Sequence, residues 1–379
     1  MRVVLLTSSY APAVGGVEEF TSRLARHLVR AGHDVQVWTS RATSSGAGTA
    51  EVVDGIDVRR FDFPMPRAAA DAMLQLPTHA GRSLRALRTA HRRFQPDVIN
   101  VHCYSANGVY GTAVSAMTGT PLVVSLHGET LMDDHDIYER SHSLRWGLKW
   151  GLRRAAGVTA CSELTLHDAE VRFGLDTKKA QVVHNAVDLD EAPAVHVQVP
   201  FDRYVLGLGR MVHKKGFDLL LRAFAEVDAP DVGLVLAGSG PQQAELEQLA
   251  VDLGVDDRTC FTGVLGRPEV AWVMANAEIF VLPSRVEPFG IVALEAWRAG
   301  TPLIATRHGG PAEYVRDGTD GVLIDPEDTV ASAAALGDLL SDGLRRRGVG
   351  AAGRARLPDF TWSRVTDSFC RIYVDAASG

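Results

Sequence analysis

Residues 286–297 read VEPFGIVALEAW, with two glutamates eight positions apart, Pro-Phe-Gly after the first and an apolar helical stretch carrying the second. Glu287 follows a strand-like run, FVLPS (280–284), while Pro288 suits a first helical turn and Gly300 its end, so the spacing predicts a helix over Gly290–Ala299. At 1.5 Å rise per residue, Glu295 would lie roughly 12 Å along the axis from Glu287, within about 80° of the same azimuth. Between the two carboxylates lie the free N–H groups of the first turn, which attract anions. A nucleotide sugar would satisfy the whole set, with its diphosphate at the helix N-terminus, hexose hydroxyls on Glu287 and ribose hydroxyls on Glu295.

A second cluster stands in GLGRMVHKKGFD (207–218), a glycine-flanked loop after a strand. Beyond Gly209, Arg210 and Lys215 can converge on one diphosphate, Arg as a bidentate fork and Lys as a point charge, and would neutralise a leaving group. Lys214 could serve in place of Lys215. A third candidate is SSYAPAVGGVEEF (8–20), where Gly15 and Gly16 precede a helix beginning near Glu18 or Glu19 and would let the backbone approach a phosphate. Each piece alone also fits a plain reading, a tight strand-to-helix turn or two solvated bases. None is G-x-G-x-x-G, and neither GLGRMV nor GSGPQQ carries the third glycine, which removes the main support for hydride transfer.

These loops need strands and helices to hold them. VVLL (3–6), VQVW (35–38), VINVH (98–102) and PLVVSLHG (121–128) read as buried parallel strands, with EEFTSRLARHLVRAGH (18–33) a helix between two of them. The pattern restarts with YVLGLGR (204–210), VGLVLAGSG (232–240), FVLPS and TPLIAT (301–306), alternating with helices at 217–227, 241–254 and 290–299. DLDEAPAVHVQVPFDRY (188–204) reads as a linker, and FTWSRVTDSFCRIYVDA (360–376) as a final helix with aromatic anchors. The chain is thus α/β, with two doubly wound parallel-sheet domains whose strand ends would face a central cleft.

With 379 residues, two cores of about 150 to 200 residues each are expected. Four widely spaced cysteines with no CxxC pair argue against a disulfide framework or a zinc knuckle, and without a long apolar run a cytoplasmic protein is expected. The net charge of −7 is unevenly spread: residues 1–195 hold 21 Lys/Arg and 21 Asp/Glu, so the deficit lies in the second half and nucleic-acid binding is disfavoured. In HAGRSLRALRTAHRR (79–93), Arg82, Arg85, Arg88 and Arg92 recur at helical spacing. Docking on anionic lipid is conceivable there, but a solvated helix face is the favoured reading because the domain as a whole is neutral.

Taken together, EPFGIVALEAW, RMVHKKG, GSGP (238–241) and HGGPAEYVRDGTDGVLIDPED (308–328) resemble the retaining family 4 glycosyltransferases, whose GT-B fold has two Rossmann-like domains. The resemblance extends over the GG loop, PDVINVH, HG (127–128), VVHNAVDLD and the terminal FTW helix. It implies an acceptor domain over 1–190, a nucleotide-sugar donor domain over 200–361 and a helix over 362–379 that packs back on the first. It further implies that Glu287 contacts the donor hexose, Glu295 the ribose, and Arg210 and Lys215 the diphosphate. Backbone amides of Phe289, Gly290 and Ile291 would serve the sugar and phosphates, with Gly209 on the donor side and Gly16 lining the phosphate and acceptor side. His127 would sit beneath the transferred sugar. Contacts around Gly263–Arg267, Leu265 among them, would read the base, with UDP slightly favoured over GDP.

Gly15, Glu129 and Tyr104 are the acceptor-side candidates, in loops expected at 10–20, 63–80, 103–110 and 129–143. His184 and Ala186 stand where the family turn usually has proline and glycine. Glu129, Asp133, Asp134 and Asp136 form an acidic cluster in which Mg²⁺ is conceivable, but an exposed acceptor loop is preferred, with no metal and no cofactor beyond the nucleotide sugar. The partners expected are a nucleotide sugar and a small or lipid-headgroup acceptor. The alternatives are a sugar-nucleotide epimerase of the same fold and a non-enzymatic sugar-nucleotide sensor.

Overall fold

The structure, a computed structural model, describes the chain apart from Val14, residues 42–48, 67–69, 134–135 and 190–193, and the side chains of 70–75. It divides into two units, Met1–Asn185 with Trp362–Gly379, and Ala186–Thr361.

The first unit runs β1 (Arg2–Thr7), α1 (Gly16–Arg30), β2 (Asp34–Ser40), β3 (Ala50–Val53), β4 (Ile56–Phe61), α2 (Ala70–Phe94), β5 (Val98–His102), α3 (Ala106–Thr118), β6 (Leu122–Leu126), α4 (Ile137–Arg140), α5 (His142–Arg154), β7 (Gly157–Ala160), α6 (Glu163–Phe173) and β8 (Ala180–Val182). Its sheet has the order β3-β4-β2-β1-β5-β6-β7-β8, parallel except at the β3–β4 edge. Strands covered on both faces need apolar side chains at every position, and Val3 to Leu6 accordingly have 0% exposure. The chain leaves β1 for β2 in one direction and runs from β4 through β5 and β6 to β7 in the other, so right-handed crossovers put α1 on one face and α2, α3 and α5 on the opposite one.

In the second unit, β9 (Tyr204–Leu208), α7 (Phe217–Ala225), β10 (Gly233–Ala237), α8 (Gln243–Asp252), β11 (Thr259–Gly263), α9 (Arg267–Asn276), β12 (Ile279–Leu282), α10 (Ile291–Ala299), β13 (Leu303–Thr306), α11 (Pro311–Tyr314), β14 (Val322–Ile324), α12 (Thr329–Ser341) and α13 (Gly343–Ala355) build a parallel sheet of order β11-β10-β9-β12-β13-β14. The last helix, α14 (Trp362–Ser378), belongs to the first unit, where it lies beside α1 and Tyr373 donates its hydroxyl to Asn100 Oδ1 on β5 at 2.7 Å.

Three expectations change. Residues 106–110 are helical, not loop, and 70–80 belong to α2 despite Pro77 within it; residues 67–69 of the same stretch, like Asp134 of the acidic cluster, lie outside the described residues. The helix near Glu287 starts at Ile291: Gly290 is its N-cap in the left-handed region (φ +82°), so Pro288 precedes the helix. Glu295 is therefore only about 6 Å along the axis from the first helical residue, and helical azimuth does not relate it to Glu287.

Candidate active site

Loops leaving the carboxyl ends of β9, β10, β12 and β13 meet through backbone contacts that only glycine permits. A Cβ on Gly238, after β10, would stand 1.9 Å from the Gly209 carbonyl oxygen, and one on Gly240 would stand 2.3 Å from that of Met211. Gly216, with φ +67°, lies where a Cβ would come 2.1 Å from the Pro283 oxygen after β12. Gly310, after β13, closes on Pro288 and Phe289 in the same way. Hydrogen bonds knit the seams: Met211 N to Ser239 O at 2.9 Å, Arg285 N to Lys214 O at 2.9 Å and Glu287 N to His308 O at 3.0 Å. These glycines thus act by bringing loop to loop, beyond any approach of backbone to ligand.

Inside that frame Lys215, at the end of a 3₁₀ turn over His213–Lys215, extends its ammonium to Glu287 Oε2 at 2.7 Å. Ser284 Oγ donates to the same oxygen at 2.9 Å. Glu287 is 4% exposed, so its charge is balanced by one cation and one hydroxyl instead of by water. Of the two adjacent lysines it is Lys215 that pairs with the glutamate, while Lys214 contributes its carbonyl. Arg285 forks onto Asp218 at 2.7 and 2.8 Å and donates to His213 O at 2.7 Å, tying the lysine turn to the loop after β12. Burial alone would raise the Asp218 carboxyl, but Arg285 holds it below its ordinary range. Neither Ser284 nor the Arg285–Asp218 fork belongs to the sequence-derived set; their signal was their position in PSRVEPFG, directly after a strand.

The N-terminus of α10 adjoins this pair. Gly290 offers it no side chain to cap with, and the first turn, Ile291–Leu294, is uncharged, so its N–H groups suit an anion. Phe289 is a core residue, its ring 5.0 Å from that of Tyr314, whose hydroxyl donates to Phe289 O at 2.8 Å; any contact it makes with a ligand is through the backbone. Arg210 is exposed in the β9 loop, Glu295 and Ile291 are half-buried on α10, and Leu265 is half-buried in the turn between β11 and α9. The N-terminus of α1 differs from that of α10. Gly16 opens α1 with Gly15 as N-cap, but Glu18 and Glu19 stand in the first turn and already complement the dipole, which disfavours a phosphate there.

A separate cluster lies in the first unit. His127 follows β6, and its Nε2 lies 3.1 Å from Nδ1 of His102, the last residue of β5. Phe20 of α1 meets the His127 ring at 4.8 Å and the Trp362 ring of α14 at 5.3 Å, while Phe369 packs on His102 at 5.9 Å. Burial pushes His127 down to about 4 and His102, which also feels its neighbour, well below the ordinary range. Both imidazoles are therefore neutral at pH 7 and share one proton between the facing nitrogens. His102 Nε2 is buried with no partner among the described residues. An unpartnered lone pair costs less than an unpartnered N–H, which assigns the shared proton to His102 Nδ1 and leaves His127 Nδ1–H as a donor.

Two acceptor-side expectations are corrected. Tyr104 is fully buried, its hydroxyl bonded to Thr112 at 2.9 Å and to Gly147 O at 2.7 Å, so its side chain reaches no acceptor. Glu129 spends its oxygens on the backbone amides of His127 and Tyr104, each at 2.7 Å, and so fixes the loop that carries His127. Asp133 likewise accepts from Tyr138 N at 2.9 Å. Among the described residues no group of three His, Cys, Asp or Glu side chains is arranged to hold a metal ion.

Comparison with known proteins follows the same division. Residues 14–191 match the family described as Glycosyltransferase Family 4, and residues 190–356 the family described as Glycosyl transferases group 1. The chain is 29% identical over 402 residues to the glycogen synthase of Mycobacterium tuberculosis, spanning 100% of this chain and 96% of that one. It is 30% identical over 380 residues to the GDP-mannose-dependent alpha-(1-6)-phosphatidylinositol monomannoside mannosyltransferase of Mycolicibacterium smegmatis, across 93% and 92% of the two chains. Its structure matches that of sucrose-phosphate synthase from Thermosynechococcus elongatus with a TM-score of 0.81 at 23% identity, over 99% and 98% of the chains. Anabaena HepE in complex with UDP-glucose matches with a TM-score of 0.76 at 23% identity over 98% of each. At these identities the solved structures speak for the fold and the curated relatives for the family. The chain belongs to the family 4 glycosyltransferases and is a glycosyltransferase of GT-B fold.

Proposed function

We propose that this glycosyltransferase moves a hexose from a nucleoside diphosphate sugar, UDP before GDP, to a hydroxyl of a small molecule or lipid headgroup with retention of anomeric configuration. The observation that carries the reading is the buried Lys215–Glu287 pair beside the uncapped N-terminus of α10. In the donor complex the diphosphate lies against the α10 amides, Arg210 and Lys215. Glu287 accepts hydrogen bonds from hexose hydroxyls and Glu295 from ribose hydroxyls. As the bond from the anomeric carbon to the phosphate oxygen breaks, negative charge grows on the diphosphate, and the two side-chain cations with the helix amides stabilise it in place of a metal ion. The acceptor oxygen attacks the face that the phosphate is leaving and passes its proton to that phosphate. A double displacement needs a carboxylate aimed at the anomeric carbon; Glu287, held by Lys215 and Ser284, is set up to accept hydroxyls. Neutral His127, with Nδ1–H to donate, suits a sugar hydroxyl better than a phosphate.

The relatives bracket the base, since one is named for GDP-mannose and another was solved with UDP-glucose. The test is transfer from a panel of UDP- and GDP-hexoses to a set of polyol, sugar and lipid-headgroup acceptors, with the new anomeric centre read by proton NMR. Transfer with the donor's own configuration is expected. An inverted product, or a donor epimerised without transfer, would contradict the reading.

A further inference from the structure

Three helices on one face of the first unit's sheet segregate charge in a way that its total, 23 Lys and Arg against 20 Asp and Glu, conceals. α3 packs between α2 and α5, and residues 76–94, 106–118 and 142–154 of these helices hold nine Arg and Lys and neither Asp nor Glu. One of the nine, Arg145, is paired with Glu139 of α4 at 2.6 Å, and other acids lie elsewhere in the unit, Glu163, Asp168 and Glu170 on the neighbouring α6 among them. The same face exposes apolar surface. Trp146 on α5 is 62% exposed and stacks at 5.6 Å on Trp150 one turn further along, and Met117 on α3 is 44% exposed. Lys149 and Arg153 flank the two indoles on α5, while Arg82 and Arg85 are exposed on α2.

We propose that this face docks the enzyme on an anionic lipid bilayer, Trp146 and Trp150 entering the headgroup layer while Arg82, Arg85, Lys149 and Arg153 meet lipid phosphates. Indoles favour the boundary between water and acyl chains, and each cation near a negatively charged leaflet adds attraction. A nucleic-acid platform would offer free ring faces to bases; here the indoles stack on each other, and the neighbouring α3 exposes Met117, which fits a lipid boundary. Among the described residues no helix is long and apolar enough to cross a membrane, so these residues would lie on the surface. The inference is independent of the donor chemistry.

The experiment is co-sedimentation of the full chain with phosphatidylcholine vesicles, with and without about 30 mol% phosphatidylglycerol, for wild type, W146S/W150S and R82E/R85E/K149E/R153E. Thermal unfolding of each variant verifies the fold. Wild type should bind the anionic vesicles at least about tenfold more tightly than the neutral ones. The charge-reversed variant should lose that preference. The Trp variant should bind about tenfold more weakly and lose the fluorescence quenching that brominated lipid produces in wild type. Equal binding to both vesicles, binding to neither, or anionic binding unchanged in folded W146S/W150S would overturn the proposal. Wild-type binding to heparin as tight as to the anionic vesicles would also overturn it, showing a surface for polyanions in general.

Discussion

Lys215 Nζ lies 2.7 Å from Glu287 Oε2, joining two loops 72 residues apart, and Ser284 Oγ shares the same carboxylate oxygen. The pair serves both stability and chemistry, because the cation that balances a buried carboxylate is also the one proposed to meet a departing diphosphate.

Lys215→Ala should therefore do two things. It removes one preorganised stabiliser of the leaving group, lowering kcat on the order of 100- to 1000-fold, and it strands Glu287, costing about 3 kcal/mol of stability. Lys215→Ala with Glu287→Gln should recover much of the stability and none of the turnover. Lys214→Ala should be close to wild type in turnover. Steady-state transfer kinetics with thermal unfolding on the four proteins separates these effects.

The glycines that join the loops should differ sharply from glycines that merely turn. Gly238→Ala and Gly216→Ala drive a Cβ into backbone at 1.9 and 2.1 Å, so the loops must separate and donor affinity should fall together with stability. Gly254 and Gly318 also have positive φ, but a Cβ there meets nothing within 4 Å. Alanine at either should cost only about 1 kcal/mol in strain and leave donor binding intact. Unfolding curves and nucleotide titrations of the four variants give the comparison.

Arg285→Lys should loosen the lysine turn without touching a ligand. An ammonium cannot span both Asp218 oxygens and the His213 carbonyl as the guanidinium does, at a cost of about 1–3 kcal/mol. Because that turn carries Lys215, KM for the donor should rise as well. Restoration of KM by added salt would count against this account, since screening weakens such pairs.

Acid sensitivity should centre on the paired histidines. An unfolded imidazole titrates near 6.5, whereas burial holds His127 at about 4 and His102 low. As pH falls from 6.5 toward 4 the unfolded chain takes up protons before the folded one, so their contribution is intact above 6.5 and declines through that window. Glu129, pushed up by burial, acts with the opposite sign in a window above its ordinary carboxyl range, so the histidine contribution is best read as the difference between wild type and His127→Gln, which both keep Glu129. Glu278, held low by Arg203, loses its contribution only at more acid pH. Thermal midpoints from pH 5 to 7.5 should fall toward acid in wild type and less steeply in His127→Gln.

Much of this was legible because buried parallel strands leave little choice of residue: VVLL and GLVLA are apolar throughout, VINVH is apolar but for Asn100 and His102, and each became a strand of its sheet. β7 and β11 were not legible, since GVTA and TCFTG are short and mix small and polar residues. α3 was hidden for a different reason. Its glycines read as loop, yet a Cβ on Gly111 would meet Leu6 at 2.6 Å and one on Gly108 the Tyr104 ring at 2.5 Å, so the helix keeps them in order to pack closely. The same packing buries Tyr104, which proximity in sequence had suggested for the acceptor. At the candidate site, residue types and loops could be read, and the identity of the partners could not. Which lysine pairs with Glu287, that Ser284 joins them, and that Glu129 serves the backbone depend on contacts between strands far apart in the chain.

The most direct test is thermal stabilisation of the purified protein by UDP, GDP, ADP, TDP and NAD, in wild type and Arg210→Ala. A nucleoside diphosphate at 100 times its Kd adds about 2.7 kcal/mol to the folded state. The account predicts a rise in melting temperature with one nucleoside diphosphate, UDP first, that is strongly reduced in Arg210→Ala. A rise with NAD alone, or none with any of the five, would contradict it.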